Sequence, residues 1–190
     1  MRIITGKAKG MKLYTLDGED VTRPTAERVK EAMFSMIQFE IEGRRVLDLF
    51  AGSGQLGLEA MSRGAAYAMF VDSDRQAMSI VKKNAEKTRF FDGCGYLVSD
   101  YRSYLRKVAD TERFDIIFLD PPYKSENLCD ALSRIHESRV IKDGGLVICE
   151  SDRAELVLEN DEILSKYTLE RSAGYGRVKI MLLRPKFDEN

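Results

Sequence analysis

The 190-residue sequence predicts an α/β fold in which a mostly parallel sheet carries helices on both faces. Three observations predict it. From residue 45 onward, short apolar runs alternate with stretches whose apolar residues recur at helical spacing. Glycine-bearing turns stand between several of them, at 52–54 and 143–145. The last two apolar runs flank Gly174-Tyr175-Gly176 and read as a β-hairpin, which adds an antiparallel strand. Repeated strand–helix units leave a ligand crevice at the carboxyl ends of the strands.

The elements follow in order. Residues 2–16 read as a short hairpin, with Ile3 and Ile4, a turn at Gly6 and Gly10, then Leu13, Tyr14 and Leu16. It is basic through Arg2, Lys7, Lys9 and Lys12, and no acid precedes Asp17. We therefore divide the chain into a hairpin extension, 1–20, and a core domain, 21–190. A helix is expected after Pro24, with Thr25 as its N-cap and Glu27 near its positive end. Val29, Ala32, Met33, Met36 and Ile37 then form one apolar stripe. Strands are expected at 46–50, 67–71, 96–98, 114–119, 146–149, 167–172 and 178–183. Helices are expected from the glycine turn to about residue 64, at 75–88, from 101, at 128–136 and at 154–158.

Composition narrows the function. Lys plus Arg number 30 against 31 Asp plus Glu, for a net charge of −1, which excludes a generally basic nucleic-acid coat but not a local patch. The longest apolar run, 65–71, is far shorter than the about 20 residues a bilayer span needs. The first ten residues lack a signal-peptide core. Cys94, Cys129 and Cys149 are odd in number and widely spaced, so neither a disulfide framework nor a zinc set follows. A reduced, cytoplasmic setting and a metal-free monomer are expected. His136, the single histidine, excludes multi-His mechanisms and reads as a surface or helix-end residue.

The stretch VLDLFAGSGQLGLEA, 46–60, places Gly52, Gly54 and Gly57 between a strand and a helix. Glycine lets backbone approach a ligand closely, and a helix start offers free N–H donors. Asp72 ends the next strand, where a ribose-binding acid belongs. Asp48, just before the loop, would repel a pyrophosphate but attract an ammonium group. Asp100 ends the third strand, with helix N-cap as its competing role. Such a rim suits S-adenosyl-L-methionine, with its ammonium, sulfonium, ribose diol and adenine amine. Asp120-Pro121-Pro122-Tyr123 follows the strand FDIIFL. The prolines stiffen the turn and remove N–H donors, Asp120 adds a carboxylate, and Tyr123 adds a π-face. Two acceptors aimed at an exocyclic base amine would free its delocalised lone pair for methyl transfer, while the ring holds the base in line.

With these motifs, TRPTAERVKEAMFSM (22–36) and VDSD (71–74), the chain resembles class I S-adenosylmethionine-dependent methyltransferases, specifically the bacterial RsmD family. The block with Arg23, Pro24, Thr25 and Arg28 carries the likeness to that family. The resemblance implies a Rossmann-like, seven-stranded fold and methylation of a guanine N2 amine in 16S ribosomal RNA. It implies cofactor contacts at Gly52, Ser53, Gly54, Asp72 and Asp100, and catalysis at Asp120, Pro121, Pro122 and Tyr123. Phe50, Ala51, Ser73 and Tyr101, with Asp48, complete the candidate cofactor set. RNA contacts are expected at Arg2, Lys7, Lys9, Lys12, Arg23 and Arg28. Against these stand solvated charge for the lysines and structural ion pairs for Arg23 and Arg28. The expected partner is 16S rRNA within an assembled or partly assembled small subunit. The alternatives are a DNA adenine-N6 methyltransferase and a nicotinamide-binding oxidoreductase or non-catalytic nucleotide module.

Overall fold

A computed structural model describes residues 1–16, 24–122 and 127–187. Its elements are α1 (Pro24–Met36), β1 (Arg45–Asp48), α2 (Gln55–Ser62), β2 (Tyr67–Asp72), α3 (Arg75–Thr88), β3 (Cys94–Val98), α4 (Tyr101–Val108), β4 (Phe114–Leu119), α5 (Asn127–Glu137), β5 (Ile141–Ser151), α6 (Glu155–Leu158), α7 (Asp161–Lys166), β6 (Tyr167–Tyr175) and β7 (Val178–Pro185). The seven strands form one sheet in the order β3-β2-β1-β4-β5-β7-β6. β7 alone runs against its two neighbours, and the pairs from β3 through β5 are parallel.

The pleat sends neighbouring residues to opposite faces and so builds two cores. Val46, Ile116, Ile148 and Leu182 face one core with α1, α2 and α3. Leu47, Ile117, Val147 and Leu183 face the other with α4 and α5. The N-terminal segment belongs to the first core through Ile3, Ala8 and Leu13. The division expected near residue 20 lies outside the described residues.

Several expectations change. Thr25 is not an N-cap but sits inside α1, which begins at Pro24. Proline at a first helical position loses no hydrogen bond and has φ preset. The N-terminal hairpin reduces to a single antiparallel bridge, Arg2 with Lys12. The amides of Ile3, Gly10 and Leu13 bond across the segment, while four others turn to α2: those of Ile4 and Thr5 donate to Glu59, and those of Lys7 and Ala8 to Ser62. β5 starts at Ile141 rather than 146, because the Gly144-Gly145 stretch lies within the strand at a register shift against β4. α7 was not foreseen. The closing hairpin turns on Gly176-Arg177, with Gly176 at φ +66°.

Candidate active site

β1 pairs with β2 on one side and β4 on the other, so the helices that follow diverge at this point. That divergence opens a cleft of about 760 Å³ at the carboxyl ends of the strands. It is lined by Asp48, Phe50, Ala51, Gly52, Ser53, Asp72, Ser73, Asp100, Tyr101, Asp120, Pro121 and Pro122. Of the candidate cofactor and catalytic residues, Gly54 lies beneath this lining as the N-cap of α2, at φ +79°. Tyr123 lies outside the described residues.

Asp48 forms the floor. It is 1% exposed, and one carboxylate oxygen accepts from the Gly57 amide at 3.0 Å. Burial pushes its carboxyl up to about 7; the Gly57 amide opposes the shift and Asp72 adds to it. Gly57 is required for a second reason: a Cβ there would lie 2.3 Å from the Phe70 ring. At Gly52, φ is +51° and a Cβ would meet nothing within 4 Å, which leaves the loop open towards a ligand.

Asp72 stands at the rim. Its two oxygens accept from the amides of Gly52 and Asp74, both at 2.8 Å, so the carboxylate is fixed in orientation. Asp100 is the N-cap of α4, accepting from the Ser103 amide at 3.0 Å, and that bond holds its carboxyl below the usual range. Capping uses one oxygen and is compatible with lining the cleft. The Tyr101 ring packs on Phe50, and its hydroxyl donates to Asp130 at 2.7 Å. Burial and that carboxylate push the phenol up to about 12.

Asp120 follows β4 directly. The register sets Asp48 beside Phe118, which places Asp120 two residues beyond the floor acid on the neighbouring strand. Pro121 is buried and Pro122 exposed.

The basic candidates lie apart from this lining. Lys7, Lys9, Lys12 and Arg28 are exposed. Arg2 is ion-paired with Glu27 at 3.2 Å. Arg23 lies outside the described residues.

Sequence reasoning missed Arg102 and Asn127 in this lining, and three residues with buried polar side-chain atoms. Gln55 lines the cleft, and its Oε1 is buried with no hydrogen-bond partner among the described residues. A buried orphan acceptor beside Asp48 fits a ligand that brings N–H donors. Asn84, fully buried, donates from Nδ2 to the Ser53 carbonyl and to the Tyr14 carbonyl, both at 2.9 Å, and accepts from the Tyr14 amide at 2.7 Å. Its signal was a polar side chain at a core position of α3. Glu59, also fully buried, pairs with Arg63 at 2.9 Å and Lys30 at 3.7 Å. Its signal was a carboxylate in an otherwise apolar helix.

Residues 1–184 match the family described as Conserved hypothetical protein 95. The chain is 37% identical over 187 residues to "Putative rRNA methyltransferase YlbH" of Bacillus subtilis, covering 98% of this chain and 100% of that one. It is 32% identical to "Ribosomal RNA small subunit methyltransferase D" of Haemophilus influenzae, covering 88% of each. The solved structure of "Putative methyltransferase yhhF" from Escherichia coli superposes with a TM-score of 0.84 at 29% identity, covering 99% of each chain.

Proposed function

The chain belongs to the family of ribosomal RNA small subunit methyltransferase D, and on that premise we propose that it moves a methyl group from S-adenosylmethionine to the N2 amine of a guanine in 16S ribosomal RNA. One observation carries this reading. The Asp120-Pro121-Pro122 turn and the glycine loop with its rim of acids line the same cleft.

S-adenosylmethionine supplies an electrophilic methyl on a sulfonium. The residues that would hold it fit its donors. Asp72, oriented by two amides, offers acceptors to a ribose diol. Asp48 and the orphan Gln55 Oε1 offer acceptors to an ammonium group. Gly52 leaves room for the ligand to lie on the loop.

Asp120 and the Pro121 carbonyl accept the N–H bonds of the exocyclic amine. That favours a pyramidal nitrogen and frees its lone pair. Asp120 takes the proton as attack makes the nitrogen acidic. Tyr123 is the expected stacking ring. The target base is unpaired or flipped from its stack, since a stacked base cannot reach the cleft.

The same reading sets the enzyme in the cytoplasm, as a monomer acting on an assembled or partly assembled small subunit. Among the described residues no helix is long and apolar enough to cross a membrane. A chain of net charge −1, whose 30 Lys and Arg are balanced by 31 acids and whose basic appendage is small, is a poor trap for naked RNA against salt, and a structured particle adds shape and contacts.

The test is transfer of labelled methyl groups to free 16S RNA, to small subunits from cells lacking the protein, and to DNA. Label at a guanine N2, entering the particle more efficiently than free RNA, is the expected result. Label in DNA adenine alone would replace this reading. Equal transfer to free and assembled RNA would remove the particle from it.

A further inference from the structure

A second groove, of about 950 Å³, runs between the end of the N-terminal segment and α3. Tyr14 and Leu16 form one wall, and Gln76, Lys83, Glu86 and Lys87 lie on the other. We propose that this groove holds single-stranded RNA flanking the target nucleotide, with a base stacked on Tyr14 and phosphates on Lys83 and Lys87. The proposal rests on the ribosomal RNA reading above and locates part of that substrate.

Tyr14 is the first argument. Its side chain is 52% exposed, yet its backbone is fixed at both N–H and C=O by Asn84. A large ring in water on a pinned backbone is a preformed platform, since little ordering remains to be done when a base arrives. The Lys87 ammonium lies over one face of the ring, 4.2 Å from its centre, so a base stacks on the opposite face with positive charge behind the π-system.

Charge is the second. Lys83 and Lys87 stand one helical turn apart on the exposed face of α3, at the separation that makes side chains neighbours. Glu86 lies between them and would repel a continuous phosphate track. It suits instead a strand whose base edges carry exposed N–H donors. That favours a single strand over a duplex, whose base edges are paired.

Placement is the third. The Gln76 end of the groove lies two residues from Asp74, whose amide holds the rim acid Asp72. Along α3 the walls run from Gln76 to Lys87, about 16 Å at the helical rise. A strand lying there leads towards the cleft at its Gln76 end. Asn84 also donates to the Ser53 carbonyl, so one carboxamide keeps the platform in register with the glycine loop.

The experiment compares the full chain with Tyr14→Ala, Tyr14→Phe and the double change Lys83→Ala/Lys87→Ala. Steady-state methyl transfer to 16S RNA and to the small subunit is measured, with anisotropy of a labelled unstructured oligoribonucleotide. Tyr14→Ala and the lysine pair are expected to raise KM for RNA and weaken oligonucleotide binding about tenfold, with kcat and S-adenosylmethionine affinity unchanged. Tyr14→Phe keeps the ring and stays near the parent. The lysine pair lowers the slope of log affinity against log salt by about 1 to 2. Unchanged KM and binding in these variants, with the parent active on RNA, would overturn the groove and leave the enzyme reading intact. Effects on the particle but not on free RNA or oligonucleotide would point to a protein partner and also overturn it. A parent inactive on every RNA overturns the function itself.

Discussion

The backbone amide of Gly57 donates to the Asp48 carboxylate across 3.0 Å, tying the first turns of α2 to the end of β1. In the proposed function this buried acid serves a ligand. Its carboxyl titrates at about 7 in the folded chain, against an ordinary value of 3.8. The folded state therefore holds a proton that the unfolded state has released. Stability from this group is complete below about pH 4 and is lost as pH rises towards 7. Asp48→Asn removes that loss and keeps an acceptor for Gly57. We expect thermal unfolding to show a gain on the order of 4 kcal/mol at pH 8 and none at pH 4. The same variant binds S-adenosylmethionine more weakly at pH 8. For the parent, affinity rises by up to about tenfold per pH unit below 7 and then levels, because an ammonium favours the ionised acid. Equal affinity of parent and variant at pH 8 would remove Asp48 from the ligand site.

Gly57→Ala reverses the usual effect of adding a methyl to a helix. In an open helix the change stabilises by roughly 1 kcal/mol. Here the new Cβ falls 2.3 Å from Phe70, a fully buried ring stacked on Tyr96. A loss of about 1–3 kcal/mol is expected, read as a lower Tm. Adding Phe70→Leu opens space, so the pair is less destabilised than the two single changes summed. Strict additivity would show that the clash is relieved elsewhere.

Asp120→Ala separates chemistry from binding. Methyl transfer should fall by about 10²–10⁴-fold, the range for a lost proton acceptor. Isothermal titration should show S-adenosylmethionine binding largely retained, since Asp48, Asp72 and Gln55 are untouched. Near-normal turnover by this variant would exclude the proposed role.

Glu59→Ala strips the N-terminal segment from α2. The carboxylate accepts from the amides of Ile4 at 2.7 Å and Thr5 at 3.0 Å and neutralises Lys30, which is 2% exposed. Burial already lowers the Lys30 ammonium, and Glu59 opposes that. Without it the buried charge keeps only the Arg2 carbonyl at 2.6 Å and the field of Glu27, a loss of about 3 kcal/mol. Limited trypsin digestion should then cut at Lys7 and Lys9 faster than in the parent. Unchanged cleavage would mean that the Ser62 hydrogen bonds and the packing of Ile3, Ala8 and Leu13 hold the segment without Glu59.

The parallel half of the sheet was legible because its strands are apolar and its turns carry glycine. The cleft was legible because acids end β1 and β2 and follow β3 and β4, which is where ligands meet a parallel sheet. Three kinds of feature were not. Thr25 looked like a cap because Ser and Thr often are, but Pro24 starts a helix as readily. Asp143-Gly144-Gly145 reads as a turn, yet Ile141 pairs with Phe114 before it and Leu146 with Ile116 after it, so it falls at a register shift inside β5. Asn84 and Glu59 act chiefly through partners 29 to 70 residues away, which no local pattern marks, and the Gln55 Oε1 has no partner among the described residues.

Chain order and spatial order part company at the far edge of the sheet. β7 is made after β6 but lies between β6 and β5. Until it emerges during synthesis, β5 presents an open edge and β6 has no sheet to join. A nascent chain ending before residue 178 thus carries the whole cofactor loop on an incomplete platform, exposed to mispairing with other strands.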